Sequence, residues 1–212
     1  MDKWKIVVIL LLLGALGGYG WYQQNAEQSA ASSPDPSTQA ATQAPPAPVN
    51  EKMNSLKGQA PPAWNIPAPL WANAPAPVTL DGLKGSVAIV EFWRIGCIHC
   101  EQAAPFLNLL YVKNKARGLK MVALHAAGNS ADAMNPENDW NIVKSKVKEW
   151  GITYPVANDV DGKLFKETYS GTTYPTFFIL NRKGKVVYVQ TGDTPEKQKS
   201  LVAEVEKQLK AK

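Results

Sequence analysis

The chain has 212 residues and a formal net charge of +5, from 23 basic and 18 acidic side chains. That length allows one or two domains, and basic residues scattered without interleaved aromatics give nucleic-acid binding no support. Two cysteines and two histidines are too few for a disulfide framework or for a closed four-ligand zinc site.

Lys3 and Lys5 precede an uncharged, largely apolar run over residues 6–22. As a helix it is about 25 Å long, short for a bilayer core. Trp4, Trp21 and Tyr22 flank it, and such side chains favour the membrane interface. The basic flank keeps the N-terminus in the cytoplasm and exports the rest. Tyr22-Gln-Gln-Asn25 makes a poor cleavage site, so a retained single-pass anchor is the preferred reading and a cleaved signal the alternative. Residues 23–60 are rich in Ala, Pro, Ser, Thr and Gln and read as an extended linker without a core. Pro61 to Pro77 adds Trp64, Ile66, Leu70 and Trp71, which predicts an irregular arm packed on the domain, with binding of a partner as the alternative. The expected division is an anchor over 1–22, a linker over 23–60 and one α/β domain over 61–212.

Within that domain, Val78–Leu80 reads as a short edge strand and Asp81–Gly85 as a turn. Val87–Trp93 is apolar apart from Glu91 and predicts a central strand covered on both faces. Cys97 to about Ala116 reads as a helix kinked at Pro105 and ended at Arg117-Gly118. Leu119–Leu124 is the next strand. His125 to Asp139 reads as a loop, and Trp140, Val143, Val147 and Trp150 fall on one face of a following helix. Ile152–Val156 reads as a strand, Asn158–Gly162 as a turn, and Leu164, Phe165 and Tyr169 as part of a short helix. Thr176–Leu180 and Lys185–Gln190 form a hairpin about Asn181–Gly184. Thr194-Pro195 opens a last helix with Leu201, Val202, Val205 and Leu209 on its packing face. Alternating strands and helices imply parallel pairing through right-handed crossovers, hence an α/β fold with a central sheet.

The chemistry concentrates at Cys97-Ile98-His99-Cys100, where a strand passes into a helix. A helix N-terminus favours the thiolate of Cys97, so Cys97 reads as the attacking sulfur and Cys100 as the resolving one. His99 can stabilise that thiolate, or be a solvent-exposed spacer. Glu91 lies either on an exposed strand end or buried near the dithiol with a raised pKa, where it could take the proton of Cys100. His125 reads as a surface or loop residue. No cofactor beyond a redox-active Cys97–Cys100 disulfide, and no metal, is expected.

These residues resemble the thioredoxin fold, and within it the membrane-tethered, exported TlpA-like branch. Phe92-Trp93 followed by Cys97-x-x-Cys100 is similar to that family's active-site stretch. Glu91 falls at its buried acid, Pro105 at its helix proline, and Tyr174-Pro175-Thr176 at its cis-proline loop. The stretch between Leu124 and Ile152 resembles the extra helix region of TlpA-like proteins. The resemblance implies a thioredoxin-like mixed sheet flanked by helices, Cys97 as nucleophile and Cys100 as resolver. It also implies a substrate groove around Trp93, Gly96, Ile98, Tyr174 and a cis Pro175. Gly96 stands where the family carries a bulky residue, which predicts a more open rim and a more mobile loop.

The expected function is a thiol:disulfide oxidoreductase on the periplasmic face of a bacterial inner membrane, held there through residues 6–22. Its expected partners are protein disulfides or dithiols and a membrane electron-transfer partner of the thiol/disulfide type, with no nucleic acid. The TlpA likeness and Glu91 favour a reductant, for example in cytochrome c maturation. His99 favours a DsbA-like oxidant. Peroxide reduction lacks a threonine-and-arginine pocket around Cys97, and a copper chaperone using the two thiols stays open as a binding-only alternative.

Overall fold

The computed structural model describes residues 51–128 and 135–211. The chain divides into two units, Met1–Pro45 and Pro46–Lys212, and the described residues belong to the second. The expected anchor and residues 23–50 of the expected linker lie outside the described residues. Among the described residues no helix is long and apolar enough to cross a membrane.

Six strands form one mixed sheet. They are β1 (Trp71–Ala72), β2 (Val87–Trp93), β3 (Leu119–Ala126), β4 (Val156–Asp159), β5 (Thr176–Leu180) and β6 (Val186–Thr191), in the order β1-β4-β3-β2-β5-β6. β2, β3 and β4 run parallel, while β1, β5 and β6 pair antiparallel with their neighbours. The helices, in chain order, are α1 (Glu51–Asn54), α2 (Leu80–Leu83), α3 (Ile98–Asn114), α4 (Trp140–Glu149) and α5 (Pro195–Lys210). This is the thioredoxin-like sheet flanked by helices that the sequence predicts.

β2 is buried along its whole length. Its alternation sends Val87, Ile89 and Trp93 into a core with Ala103 and Leu107 of α3, Val143 and Val147 of α4, and Leu201 and Val205 of α5. Ala88, Val90 and Phe92 face a second core, built with Met53, Trp64, Trp71, Leu83, Phe165 and Tyr169. The second layer is therefore mostly the N-terminal arm. Trp64 donates its indole N–H to Val78 O at 2.7 Å, and Trp71 to Ile66 O at 3.0 Å, so each buried ring keeps its polar group satisfied.

The packed chain begins earlier than composition suggests. Residues 51–60, assigned by composition to the linker, carry α1 with Met53 only 1 % exposed. Lys57 bridges Val186, and Gly58 N–H and Gln59 O pair with Val186 along the free edge of β6. That pairing satisfies the outward backbone groups of Val186 at the start of the edge.

Three elements differ from expectation. Val78–Leu80 is not a strand: Thr79 Oγ1 accepts from Gly82 N–H at 3.1 Å and caps α2. The edge strand is Trp71–Ala72 instead. β4 starts at Val156 rather than Ile152, because Pro155 has no N–H for the ladder. Side-chain amides take up the preceding backbone, with Asn73 Nδ2 on Ile152 O at 2.7 Å and Thr153 N–H on Asn108 Oδ1 at 3.1 Å. β3 continues through His125 and Ala126, so His125 is a strand residue and not part of a loop.

Candidate active site

The parallel strands end together at Trp93, Ala126 and Asp159, with Trp93 opposite His125 and Ala126 opposite Asp159 in register. The carboxyl ends of parallel strands are where such sheets build sites. From Trp93 the chain makes a turn closed by Cys97 N–H on Arg94 O at 3.3 Å, then enters α3. Cys97 is the N-cap of α3, and its Sγ accepts from Cys100 N–H at 3.2 Å. The two cysteines are disulfide-bonded, with Cα atoms 5.3 Å apart. Cys97 is half-buried and Cys100 is 2 % exposed. One sulfur is thus reachable and sits where unpaired N–H groups favour a thiolate, while the other is enclosed. Ile98 and His99 are exposed beside them.

Of the two placements open to Glu91, the structure has the buried one. Glu91 is 3 % exposed and accepts the Tyr154 hydroxyl proton at 3.2 Å. By strand alternation its side chain faces the helix layer that carries Cys100. Burial pushes its pKa up to about 8; the Tyr154 hydroxyl opposes the rise and the nearby Asp193 carboxyl adds to it. Asp193 follows β6, where Gly192 N–H bonds Pro175 O at 2.7 Å, and Gln198 donates to its Oδ2 at 2.9 Å. Burial raises its pKa too, against the pull of Gln198 and then of His99.

The Tyr174–Pro175 peptide is cis. Tyr174 is half-buried, tilted against Phe165 and beneath the Arg94 guanidinium, whose carbon lies 5.5 Å from the ring centroid. Trp93 is corrected as a groove residue. It is 1 % exposed, with its ring centroid 5.1 Å from that of His125 and 5.3 Å from that of Trp150, so it supports the site from within. His125 is corrected as a surface residue. It is fully buried, its Nδ1 donates to Asn158 Oδ1 at 3.0 Å, and burial pushes its pKa down to about 4.

Arg94 and Glu137 escaped the reading of the sequence. Glu137 lies in a turn of 3₁₀ helix at Pro136–Asn138 and is 4 % exposed. Both of its carboxylate oxygens accept from the Arg94 guanidinium, one at 3.0 Å from Nε and the other in a short contact from Nη2. Its Oε1 also accepts Gly96 N–H at 3.2 Å. Gly96 is exposed, and its N–H is held by that bond. A Cβ at Gly96 would stand 2.7 Å from Glu137 Oε1, and one at Gly128 would stand 2.9 Å from Oε2. Two glycines therefore make room for one carboxylate. The only sequence signal was those glycines, more than 30 residues apart, with nothing local to pair them.

Among the described residues no group of three or more His, Cys, Asp or Glu is placed to hold a metal ion. What the site can do is exchange a disulfide between two sulfurs of unequal exposure, on the sheet face that also buries the Glu91 carboxyl.

The chain is 33 % identical over 121 residues to the thiol-disulfide oxidoreductase ResA of Bacillus thuringiensis subsp. konkukian, a match covering 57 % of this chain and 64 % of that protein. With ResA of Bacillus subtilis it shares 32 % over 119 residues, covering 56 % and 60 %. The matches thus span less than two thirds of these relatives' length. The solved structure of StoA from Bacillus subtilis has a similar fold, with a TM-score of 0.51 and 23 % identity over 68 % of this chain and 97 % of that one. A thioredoxin-like protein solved in its oxidised form gives a TM-score of 0.59 and 24 % identity over 73 % and 96 %. The family model described as Redoxin matches residues 48–209, and the chain belongs to the Redoxin family.

Proposed function

We propose that this protein is an exported thiol:disulfide oxidoreductase that reduces protein disulfides, tethered through residues 6–22 to a bacterial inner membrane with its folded domain in the periplasm. The observation that carries the reading is the pairing of a reachable Cys97 at a helix N-terminus with an enclosed Cys100, on the sheet face that buries Glu91. The likeness to ResA supports it.

In the reducing direction the Cys97 thiolate attacks one sulfur of a substrate disulfide. The S–S bond breaks, one substrate thiolate leaves, and a mixed disulfide forms on Cys97. The Cys100 thiol gives its proton to the Glu91 carboxylate and attacks Cys97 Sγ. The second substrate thiolate leaves, and two electrons have passed to the substrate. With its pKa raised by burial to about 8, Glu91 is a stronger proton acceptor than an ordinary carboxylate. The resulting Cys97–Cys100 disulfide is then reduced by a membrane dithiol donor. Ile98, Gly96, Tyr174 and Pro175 form the groove for the substrate chain in this reading.

The test is the reduction potential of the full-length chain in glutathione buffers. A value below about −240 mV supports the reductant. A value above about −180 mV places it with the oxidants and isomerases, and exposed His99 then becomes the leading explanation.

A further inference from the structure

Arg94 is the first residue of the turn that presents Cys97, and its carbonyl accepts Cys97 N–H. Its side chain is 35 % exposed and rests on Tyr174. A guanidinium so placed would by itself favour the nearby thiolate and make the dithiol a better oxidant. The Glu137 carboxylate sits against that charge. It comes from a segment remote in sequence, is almost wholly buried, and holds Arg94 and Gly96 N–H at once. An ion pair on the surface needs neither two glycines cut back for it nor a third bond to the loop backbone.

We propose that Glu137 is a positioning residue for Cys97: it staples the Arg94–Cys97 turn and offsets the Arg94 charge, which keeps the dithiol reducing. The inference rests on Cys97 being the attacking sulfur. Other titratable or charged groups around the dithiol are His99 and Glu101 on α3, Glu91 on β2, His125 on β3, Tyr154 before β4, Tyr174 before β5, and Asp193 and Lys197 after β6. All of these stay constant in the variants below.

The experiment measures the rate of iodoacetamide alkylation against pH on the fully reduced, full-length chain, with the modified cysteine identified by mass. If wild-type protein is alkylated first at Cys100, the functional reading itself fails. If Cys97 is the reactive residue, the variants decide the further inference. Glu137→Gln leaves an oxygen for Gly96 N–H but unmasks Arg94. Cys97 should then react about tenfold faster at pH 6, and the glutathione equilibrium should shift about tenfold toward the dithiol, about 30 mV. Arg94→Gln should slow Cys97 by a similar factor, and the double variant should return to within about twofold of wild type. Singles that move the profile in the same direction, or that lower thermal stability while leaving it unmoved, overturn the proposal. Should Glu137→Gln fail to fold, Arg94→Gln decides alone: slower alkylation supports the proposal, and faster or unchanged alkylation overturns it.

Discussion

Tyr154 donates its hydroxyl proton to Glu91 across 3.2 Å inside the core, from the segment before β4 to the middle of β2. Both groups are buried, and this bond is what partly satisfies a carboxyl that has left water. Glu91 is thereby kept as a protonatable group on the sheet face toward the dithiol, and its behaviour can be read in solution.

Stability should fall as pH rises from about 6.5 to 8. Glu91 has its pKa raised by burial to about 8, so the folded state holds its proton after the unfolded chain has lost it. That contribution is complete below about 4.5 and is lost progressively up to 8, at no more than about 1.4 kcal/mol per pH unit. His125, lowered to about 4, works in the opposite sense from about 4 to 7.5, and Asp159, raised to about 6, works in the same sense as Glu91 up to about 7. The difference between wild type and Glu91→Gln from 6.5 to 8 therefore isolates Glu91. Urea melts across that range should show a steeper decline in wild type than in Glu91→Gln; equal slopes would mean that Glu91 titrates normally.

Glu91→Gln should also slow resolution of the mixed disulfide, on the order of 10²-fold, while leaving the first attack by Cys97 little changed. Stopped-flow reduction of a model disulfide separates the two phases. The mixed disulfide should accumulate, as it must also in Cys100→Ser.

Tyr154→Phe removes the hydroxyl that favours the charged form of Glu91. The variant should lose about 1–2 kcal/mol, more at pH 8 than at pH 6, because only the carboxylate misses the donor. Denaturant melts at the two pH values give the comparison.

Gly96→Ala places a methyl group 2.7 Å from the Glu137 carboxylate in the present arrangement. Overcrowding of this kind costs about 1–3 kcal/mol. Pairing it with Glu137→Ala should restore most of the loss, whereas additive losses would show that the two residues do not meet.

The arm should behave as part of the fold. Trp64→Ala should cost about 3–5 kcal/mol, and deletion of residues 51–60 should lower thermal stability by uncovering the β6 edge. A chain cut at residue 61 that melts like one cut at residue 46 would show the contacts of Met53 and Lys57 to be dispensable.

Much of the sheet was legible because apolar runs and turn residues act locally. Val87–Trp93, Thr176–Leu180 and the Asn181–Gly184 hairpin stand where their residues predict. The end of β3 is hidden in the sequence because His125 and the polar residues after it look like loop, and burial of a histidine depends on a distant partner such as Asn158. Residues 51–60 looked like linker because Met53 and Leu56 are too sparse to mark a helix face, yet the edge of β6 gives them something to pair with.

The sequence by itself determined the dithiol, its place at a strand-to-helix junction and the presence of an acid within an otherwise apolar strand. These follow from residue type and short-range spacing. Only the tertiary structure decided that Glu91 is buried against Tyr154, that Trp93 supports the site from inside, and that Glu137 holds the turn before Cys97. Each of these joins residues more than 30 positions apart, and no local pattern encodes a contact whose partner arrives only when the sheet closes.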